Sequence, residues 1–534
     1  GASAARRVGV VRMQGIELIV ALLLASTVLA GVARAIHVHY AIVLVLGGLA
    51  VGLVSGTSAP QVDPHTVLFV FLPPLIYAAS FSSSTQDLRA HARAIGLLAV
   101  GLVLLSMTAV AAVAHTVAGI GWGPALVLGA ILGPTDPIAA TSVLRRLGAP
   151  NRISTILEGE ALINDGTGLT VYKLAVAAVV SGHFSPGAGI VKFIAVAAGG
   201  VAVGLAAGWV SVEIRKRIDE PQIEISISLL TAYLAYIPAD RIGASGVLAA
   251  VAAGLYTGGR AGSMLSPTSR LRTLGFWEAL TFLLESVLFL LIGLELPHIT
   301  RGLSVERPLL YSAAVLVTLI AVRMAWMFTV PLVAQLVRPS SPRTSQQSRH
   351  AEQIVLGWSA MRGGVSLAAA LALPLTAAGR PFPDRANVIF ISYIAIAATL
   401  VIPGLTLAPL VRRLGLGEDE AVAREEARAR VQLAHAALKH IDDLAERDVV
   451  AEPVLDQLRM TYELRIQRLE PHADGNAADG DEAAAARRIR ELRRELIGVE
   501  RRRLADLRRR SQISAHTLRQ IEHELDLEES RLAQ

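Results

Sequence analysis

The chain has 534 residues, 53% hydrophobic and only 18% charged, with a mean hydropathy of +0.51, a balance too apolar for a soluble protein of this length and one that points to the membrane. Residues 1–414 hold 29 basic and 18 acidic side chains and residues 415–534 hold 21 and 26, so the net charge of +6 combines +11 in an apolar part with −5 in a polar tail. No basic stripe is interleaved with aromatics, which argues against nucleic acid, and the absence of cysteine excludes disulfide frameworks, thiolate metal sites and cysteine nucleophiles.

Thirteen apolar runs can be marked, at about 15–34, 38–56, 64–81, 94–115, 123–144, 153–181, 188–212, 222–238, 242–258, 274–297, 308–336, 353–376 and 386–411. Each approaches the roughly 17–25 residues that cross a ~30 Å hydrocarbon core. The first is followed by further apolar runs and no cleavage site, so it reads as a span and not a signal peptide. Alternate loops collect seventeen basic residues, among them Arg89, Arg93, Arg145, Arg146, Arg152, Lys216 and Arg349, against eight for the other side and the N-terminal tail. Positive charge marks the cytoplasmic face, which places the C-terminal tail in the cytoplasm. An odd number of spans then places the N-terminus outside, where Arg6, Arg7 and Arg12 depart from the rule.

If spans 1–6 and 8–13 are two repeats joined by span 7, the second enters from the opposite side, the inverted-repeat plan of secondary transporters. Interruptions fall at corresponding places: Gly133-Pro134-Thr135-Asp136-Pro137 in span 5 and Met361-Arg362-Gly363-Gly364 in span 12.

Four acids fall inside spans: Asp136, Glu160, Asp165 and Glu285. An ionisable group at membrane depth is expensive and so a functional candidate. At ~1.5 Å per residue, Asp136 lies ~20 Å into span 5 and Asp165 ~18 Å into span 6 from the opposite side, both near the middle of the core. Pro134 and Pro137 remove backbone donors and disfavour helix in the residue before each, so span 5 should break around Thr135. Free carbonyls, the Thr135 hydroxyl and the Asp136 carboxylate are then hard oxygen ligands of the kind that bind alkali cations at unwound helices; a simple proline kink is the competing reading.

In span 6, at 100° per residue, Glu160 and Asn164 share a face, while Asp165 lies ~140° from Glu160 and Glu158 within ~20° of Asp165. Glu158 either lines an entrance or is a solvated helix-start residue. Arg323, within span 11, needs an acidic partner, and Glu160 is the expected one, which makes that pair structural and leaves Asp165 as the proton carrier. Arg362 either compensates helix-end charge at the break in span 12 or competes with Arg323 for Glu160. Glu285 is expected to bond to nearby backbone or to Ser286.

These segments, with Phe71-Leu72-Pro73-Pro74-Leu75-Ile76, resemble the monovalent cation:proton antiporters that include bacterial sodium/proton antiporters and mammalian sodium/proton exchangers, over about residues 15–415. The resemblance implies an all-α polytopic membrane protein of thirteen transmembrane helices, with two inverted repeats and crossed broken helices, working as a homodimer whose core moves like an elevator. It implies Na⁺ or Li⁺ bound at Asp165 with oxygens of Thr135 and Asp136 and, at the position of Ala161, a backbone or water-mediated contact. It also implies that Asn164 and the Glu160–Arg323 pair stabilise the core, and that Asp165 alternates between proton and cation with no cofactor. Having Asn164 beside Asp165, in place of a second aspartate, resembles the electroneutral branch. Many relatives carry a serine where this chain has Ala161, which leaves K⁺ exchange as an alternative to Na⁺. The expected setting is a bacterial-type plasma membrane and the expected service pH homeostasis. A cation channel and an intramembrane aspartyl hydrolase are the readings from other classes; no Gly-x-Gly-Asp motif supports the hydrolase.

The chain divides into an ion-exchange domain, 1–414, and a helical tail, 415–534. In the tail, 418–449 and 453–470 read as charged amphipathic helices and 471–483 as a linker before helices at 484–507 and 514–527. Ile489, Leu492, Leu496 and Val499 follow heptad spacing that slips at Leu504, which suits a short helical bundle or dimer contact better than a long coiled coil. The tail either regulates transport or solubilises and dimerises the protein.

Overall fold

The structure, a computed structural model, describes residues 15–36, 39–55, 64–182, 186–300, 306–337, 346–377, 379–416, 420–447, 451–474, 480–510 and parts of 512–529. Arg6, Arg7, Arg12, Arg301, Arg338 and Arg343, which entered the charge comparison, lie outside them. The chain forms two units, Gly1–Glu418 and Asp419–Gln534.

The first unit is helical and runs α1 Gly15–Ala35, α2 Tyr40–Ser55, α3 Pro64–Ser82, α4 Thr85–Ala90 and α5 Ala92–Gly96, which continues through a π-helical stretch, Leu97–Leu102, into α6 Val103–Ala118. It proceeds with α7 Trp122–Leu132, α8 Ile138–Arg146, α9 Asn151–Ser181, α10 Pro186–Arg215, α11 Pro221–Arg241, α12 Gly246–Gly258, α13 Ala261–Met264, α14 Pro267–Thr300 and α15 Glu306–Val337. It closes with α16 Gln346–Trp358, α17 Gly364–Leu371, the two-residue strands β1 Thr376–Ala377 and β2 Arg380–Pro381 paired antiparallel, and α18 Arg385–Arg413. Among the described residues five helical stretches are long and apolar enough to cross a bilayer: Ala92–Ala118, Gly189–Arg215, Pro267–Leu291, Glu306–Leu332 and Arg385–Arg413. Shorter apolar helices include Tyr40–Leu53, Trp122–Leu132 and Gly246–Gly258.

Burial follows the logic of a chain solvated by lipid. Helix α10 exposes Ile190, Val191, Ile194 and Trp209 by 57–69%, a surface that would aggregate in water but is ordinary against hydrocarbon. The interior instead contains buried polar groups, including Glu160, Asn164, Arg323 and Arg362, each at most 2% exposed. A large apolar cluster containing Leu128, Ile131, Leu169, Tyr393 and Ile396 joins α7, α9 and α18, and α3, α9 and α17 also contact one another. This packing sets the two interrupted helix pairs, α7/α8 and α16/α17, beside the long α9.

In the second unit, α19 Glu420–Glu446 packs on α20 Glu452–Asp474, with Arg459 bridging to Asp442 at 2.8 Å. Helix α20 continues through Pro471 to Asp474, and α21, Gly480–Arg509, starts earlier than expected, so the described residues at both ends of the 471–483 linker are helical. Pro471 stands in the last turn of α20, where the ladder bond it withholds is among the last of the helix, and the run Ala483-Ala484-Ala485-Ala486 has the highest helix propensity. The described part of the heptad stripe is not the buried one; the Ile489 side chain lies outside the described residues. Leu492, Leu496 and Val499 are 44–62% exposed, whereas Ile497 and Leu504 pack with Leu525, Leu518 and Ile521. Arg501 joins the same contact by pairing with Asp526 at 2.5 Å and Glu529 at 2.8 Å.

Candidate functional site

The chain breaks where its sequence withholds backbone donors. Helix α7 ends at Leu132 and α8 begins at Ile138; Pro134 and Pro137 cannot donate, which removes the ladder on both sides of Thr135. Helix α16 ends at Trp358 and α17 begins at Gly364. The two breaks meet in a single antiparallel bridge, with the Asp136 amide donating to the Met361 carbonyl at 2.8 Å. Two glycines allow this approach. A Cβ on Gly363 would collide with the Asp136 carboxylate, and one on Gly168 of α9 would collide with the Pro134 ring.

Four helix ends converge at the crossing, and their carbonyls and amides need partners. Arg362, fully buried, donates Nε to the Leu132 carbonyl at 3.2 Å and Nη1 to the Ala360 carbonyl at 3.0 Å. It therefore sits on carbonyls of the two interrupted segments, where a cation complements the negative end of a helix, and leaves Glu160 to Arg323. At the start of α8, the Asp136 Oδ1 accepts from the Ile138 amide at 3.0 Å.

Helix α9 presents two chemically different faces. On one, Arg323 donates Nη1 to Glu160 Oε1 at 2.5 Å and Nη2 to Oε2 at 2.8 Å, and its Nε donates to the Leu356 carbonyl at 3.2 Å. The Thr135 hydroxyl donates to Glu160 Oε1 at 2.8 Å, while Asn164 Nδ2 donates to the Thr135 hydroxyl at 2.9 Å and to its carbonyl at 3.1 Å. The i, i+4 pair Glu160 and Asn164 thus locks the unwound Thr135 to α9 and, through Arg323, to α15.

On the other face, Glu158, Ala161, Leu162 and Asp165 line a cavity of about 240 Å³, at the i, i+3, i+4, i+7 spacing of one helical stripe. Asp136, Pro137 and Glu285 share its wall, together with apolar residues of α3 and α14 such as Phe71, Leu75 and Leu288. Near Ser82 and Ser83 the wall includes the ion pair of Arg145 with Glu158, 2.5 Å apart, with the arginine 68% exposed. That pair lies on the arginine-rich side of the chain.

The structure therefore brings Asp136, Ala161 and Asp165 together in the cavity, with Pro137 beside them, and places Glu160, Asn164, Arg323 and Thr135 in a separate network behind it. Thr135 is not part of the cavity lining; its hydroxyl is held between Glu160 and Asn164. Pro134 packs on α9, and Arg362 binds carbonyls. Glu285 corrects expectation: it accepts from the Tyr40 hydroxyl at 2.7 Å and faces the cavity, while the Ser286 hydroxyl has no partner among the described residues. Its depth in an apolar run was a signal, but Tyr40 lies 245 residues away in sequence, and no local pattern connects them.

Crossed helix breaks, a buried ion pair beside them and carboxylates lining a cavity that reaches the crossing define a polytopic secondary transporter of ions. The sodium/hydrogen exchanger transmembrane family matches residues 19–413, and the chain belongs to that family. Membership makes it a transporter and not an enzyme. An uncharacterized Na⁺/H⁺ exchanger of Mycobacterium tuberculosis strain H37Rv is 33% identical over 526 residues, covering 97% of this chain and 96% of that one. The uncharacterized exchanger YjcE of Escherichia coli is 31% identical over 88% of this chain and 90% of its own length. The Na⁺/H⁺ antiporter ApNhaP of Aphanothece halophytica is 30% identical over 75% of each. The solved structure of the sodium proton antiporter MjNhaP1 from Methanocaldococcus jannaschii shares the fold, with a TM-score of 0.59 over 76% of this chain and 99% of that one at 17% identity.

Proposed function

We propose that the protein is a secondary active antiporter exchanging Na⁺, or Li⁺, for H⁺ through alternating access around Asp165. The observation that carries this reading is the single cavity in which Asp165 and Asp136 both stand, reaching the helix crossing. Two carboxylates facing one partly desolvated space repel each other unless a proton or a cation lies between them. Binding of either species relieves that repulsion, and competition between them is the physical basis of exchange. Asp165 is the group that takes proton and cation in turn; Asp136 and oxygens around Ala161 complete the cation's shell, with Thr135 holding the unwound segment in place.

The Glu160–Arg323 pair, bonded on all sides, serves as scaffolding. Asn164, which does not titrate and is committed to Thr135, leaves one carboxylate at the Asn164–Asp165 pair and supports one-for-one, electroneutral exchange. Helices over all thirteen apolar runs support the thirteen-span, inverted-repeat plan. The basic loops support a cytoplasmic C-terminus, an external N-terminus and a plasma-membrane location, and the cavity then faces the cytoplasm. The exposed apolar stripe on α21 supports a homodimer. Exchange driven by the proton gradient would serve pH homeostasis.

Cation-induced proton efflux from proteoliposomes tests the proposal, with Na⁺, Li⁺ and K⁺ compared and a membrane potential imposed or collapsed. Saturable exchange that is lost in Asp165→Asn and indifferent to potential is the expected result. Exchange surviving in Asp165→Asn removes Asp165 as the carrier, conduction without counter-transport indicates a channel, and a preference for K⁺ over Na⁺ reassigns the cation.

A further inference from the structure

A second cavity, of about 250 Å³, lies toward the other end of α9 and shares no lining residue with the exchange site. Leu169, Tyr172 and Lys173 of α9 form one wall, Val196 of α10 and Tyr236 of α11 contribute others, and residues 243–247 close it at the start of α12. Lys173 pairs with Asp240 of α11, and the lysine is 59% exposed, so this end of the cavity meets solvent.

The two cavities share one stripe of α9. At ~100° and ~1.5 Å per residue, Leu169 lies ~40° from Asp165 and ~6 Å beyond it, and Tyr172 ~20° from it and ~10 Å beyond. Glu158, on the wall of the exchange cavity, lies on the same stripe ~10 Å in the opposite direction. Asp165 therefore stands between two cavities that lead to opposite ends of one helix.

The partition between them is apolar. A Cβ on Gly166 would stand 2.5 Å from a Leu248 methyl of α12, so the Leu248 side chain fills the space that the glycine leaves. Leu169, 8% exposed, and Val247, 3% exposed, belong to the same buried cluster as Leu162 of the exchange cavity. The Tyr172 hydroxyl is buried without a hydrogen-bond partner among the described residues, a cost that water admitted to the cavity would remove.

We infer that this cavity is the second access route to Asp165, opening on the side of the membrane opposite the exchange cavity, with Leu248 packed on Gly166 as the seal between them. The inference rests on the antiporter reading and adds to it the walls of the second route and the contact that closes it. Alternating access needs a path from each side that is shut while the other is open. Here the exchange cavity reaches the carboxylate and one layer of side chains shuts the other path. Helix α9 carries the carboxylate and α12 carries the closure. A shift of α9 along α12 by about one turn, ~5 Å, would bring Asp165 to the level that Leu169 now occupies, inside the second cavity.

The chain has no cysteine, so single substitutions report water access against a silent background. Leu75→Cys marks the exchange cavity, Val196→Cys and Val247→Cys the second cavity, and Leu248→Cys the seal. A membrane-impermeant cationic maleimide is applied to intact cells and to inverted vesicles carrying the full chain. Leu75→Cys is expected to label several-fold faster from one side, and Val196→Cys and Val247→Cys several-fold faster from the other. Leu248→Cys should label slowly at rest and several-fold faster while a Na⁺ gradient drives exchange. Labelled Val247→Cys should lose exchange, whereas the wild type treated in the same way keeps it. Labelling of both cavities from one side, a seal whose labelling ignores turnover, or full exchange by labelled Val247→Cys overturns the inference and leaves the antiporter reading in place. Val196→Cys, which lies outside the seal, decides the sidedness even if Val247→Cys does not fold. A wild type without cation-induced proton efflux overturns the antiporter reading and the inference with it.

Discussion

Replacing Arg323 by Met separates structural from transport charge in this protein. Arg323 makes two bonds to Glu160 and one to the Leu356 carbonyl, with both side chains of the pair only 2% exposed. The substitution leaves Glu160 with the Thr135 hydroxyl as its remaining donor. A buried charge abandoned in this way destabilises by about 3–5 kcal/mol, far beyond the ~0–1 kcal/mol of an exposed pair such as Arg145–Glu158. Removing both charges, as Glu160→Met with Arg323→Met, strands the Thr135 hydroxyl and, as the single variant already does, the Leu356 carbonyl, neutral groups whose loss costs about 1–3 kcal/mol each. The double variant should therefore be more stable than Arg323→Met alone, with a coupling energy of about 2 kcal/mol in a double-mutant cycle. Thermal unfolding in one detergent, followed by tryptophan fluorescence and size-exclusion recovery, measures the order. Should Arg323→Met unfold within about 1 kcal/mol of wild type, or the double variant prove the least stable, the pair is not the buried brace described here.

The remaining expectations concern transport. Asp165→Asn should fold, elute as wild type and show background exchange; retained exchange would count against its role as carrier. Gly363→Ala places a methyl group against the Asp136 carboxylate, and overpacking of this kind costs about 1–3 kcal/mol; exchange should fall more than stability, and wild-type exchange would mean that the crossing yields easily. Tyr40→Phe removes the donor to Glu285, a bond to a carboxylate worth about 1.5–3 kcal/mol; the half-saturating cation concentration should shift several-fold, and an unchanged value would confine Glu285 to a structural part. Deleting residues 419–534 tests the tail, and the cut must spare Leu416, which packs in the core of the first unit. A shifted pH profile of transport is expected if the tail regulates, whereas an unchanged profile leaves it a solubilising or dimerising element.

The sequence by itself determined much of this protein, because membrane depth makes its signals local. Apolar runs locate the helices, two prolines at 134 and 137 dictate the break at Thr135, and the 100° rotation per residue separates Glu160 and Asn164 from Asp165. Charge economy required an acid for Arg323. Where the competing signals were non-local, only the tertiary structure could decide. Whether Arg323 or Arg362 meets Glu160 depended on Arg323 reaching from α15 to α9 while the α16/α17 break lay against the end of α7, which commits Arg362 to carbonyls. Thr135 was legible as an unwound polar residue, but its direction, toward Glu160 and away from the cavity, follows from how α9 packs on the crossing. Glu285 found Tyr40 across 245 residues, and the tail buried Ile497 and Leu504 in preference to the stripe with the better heptad spacing. Periodicity fixes which residues share a face, whereas the neighbour that covers the face is chosen by packing among distant segments.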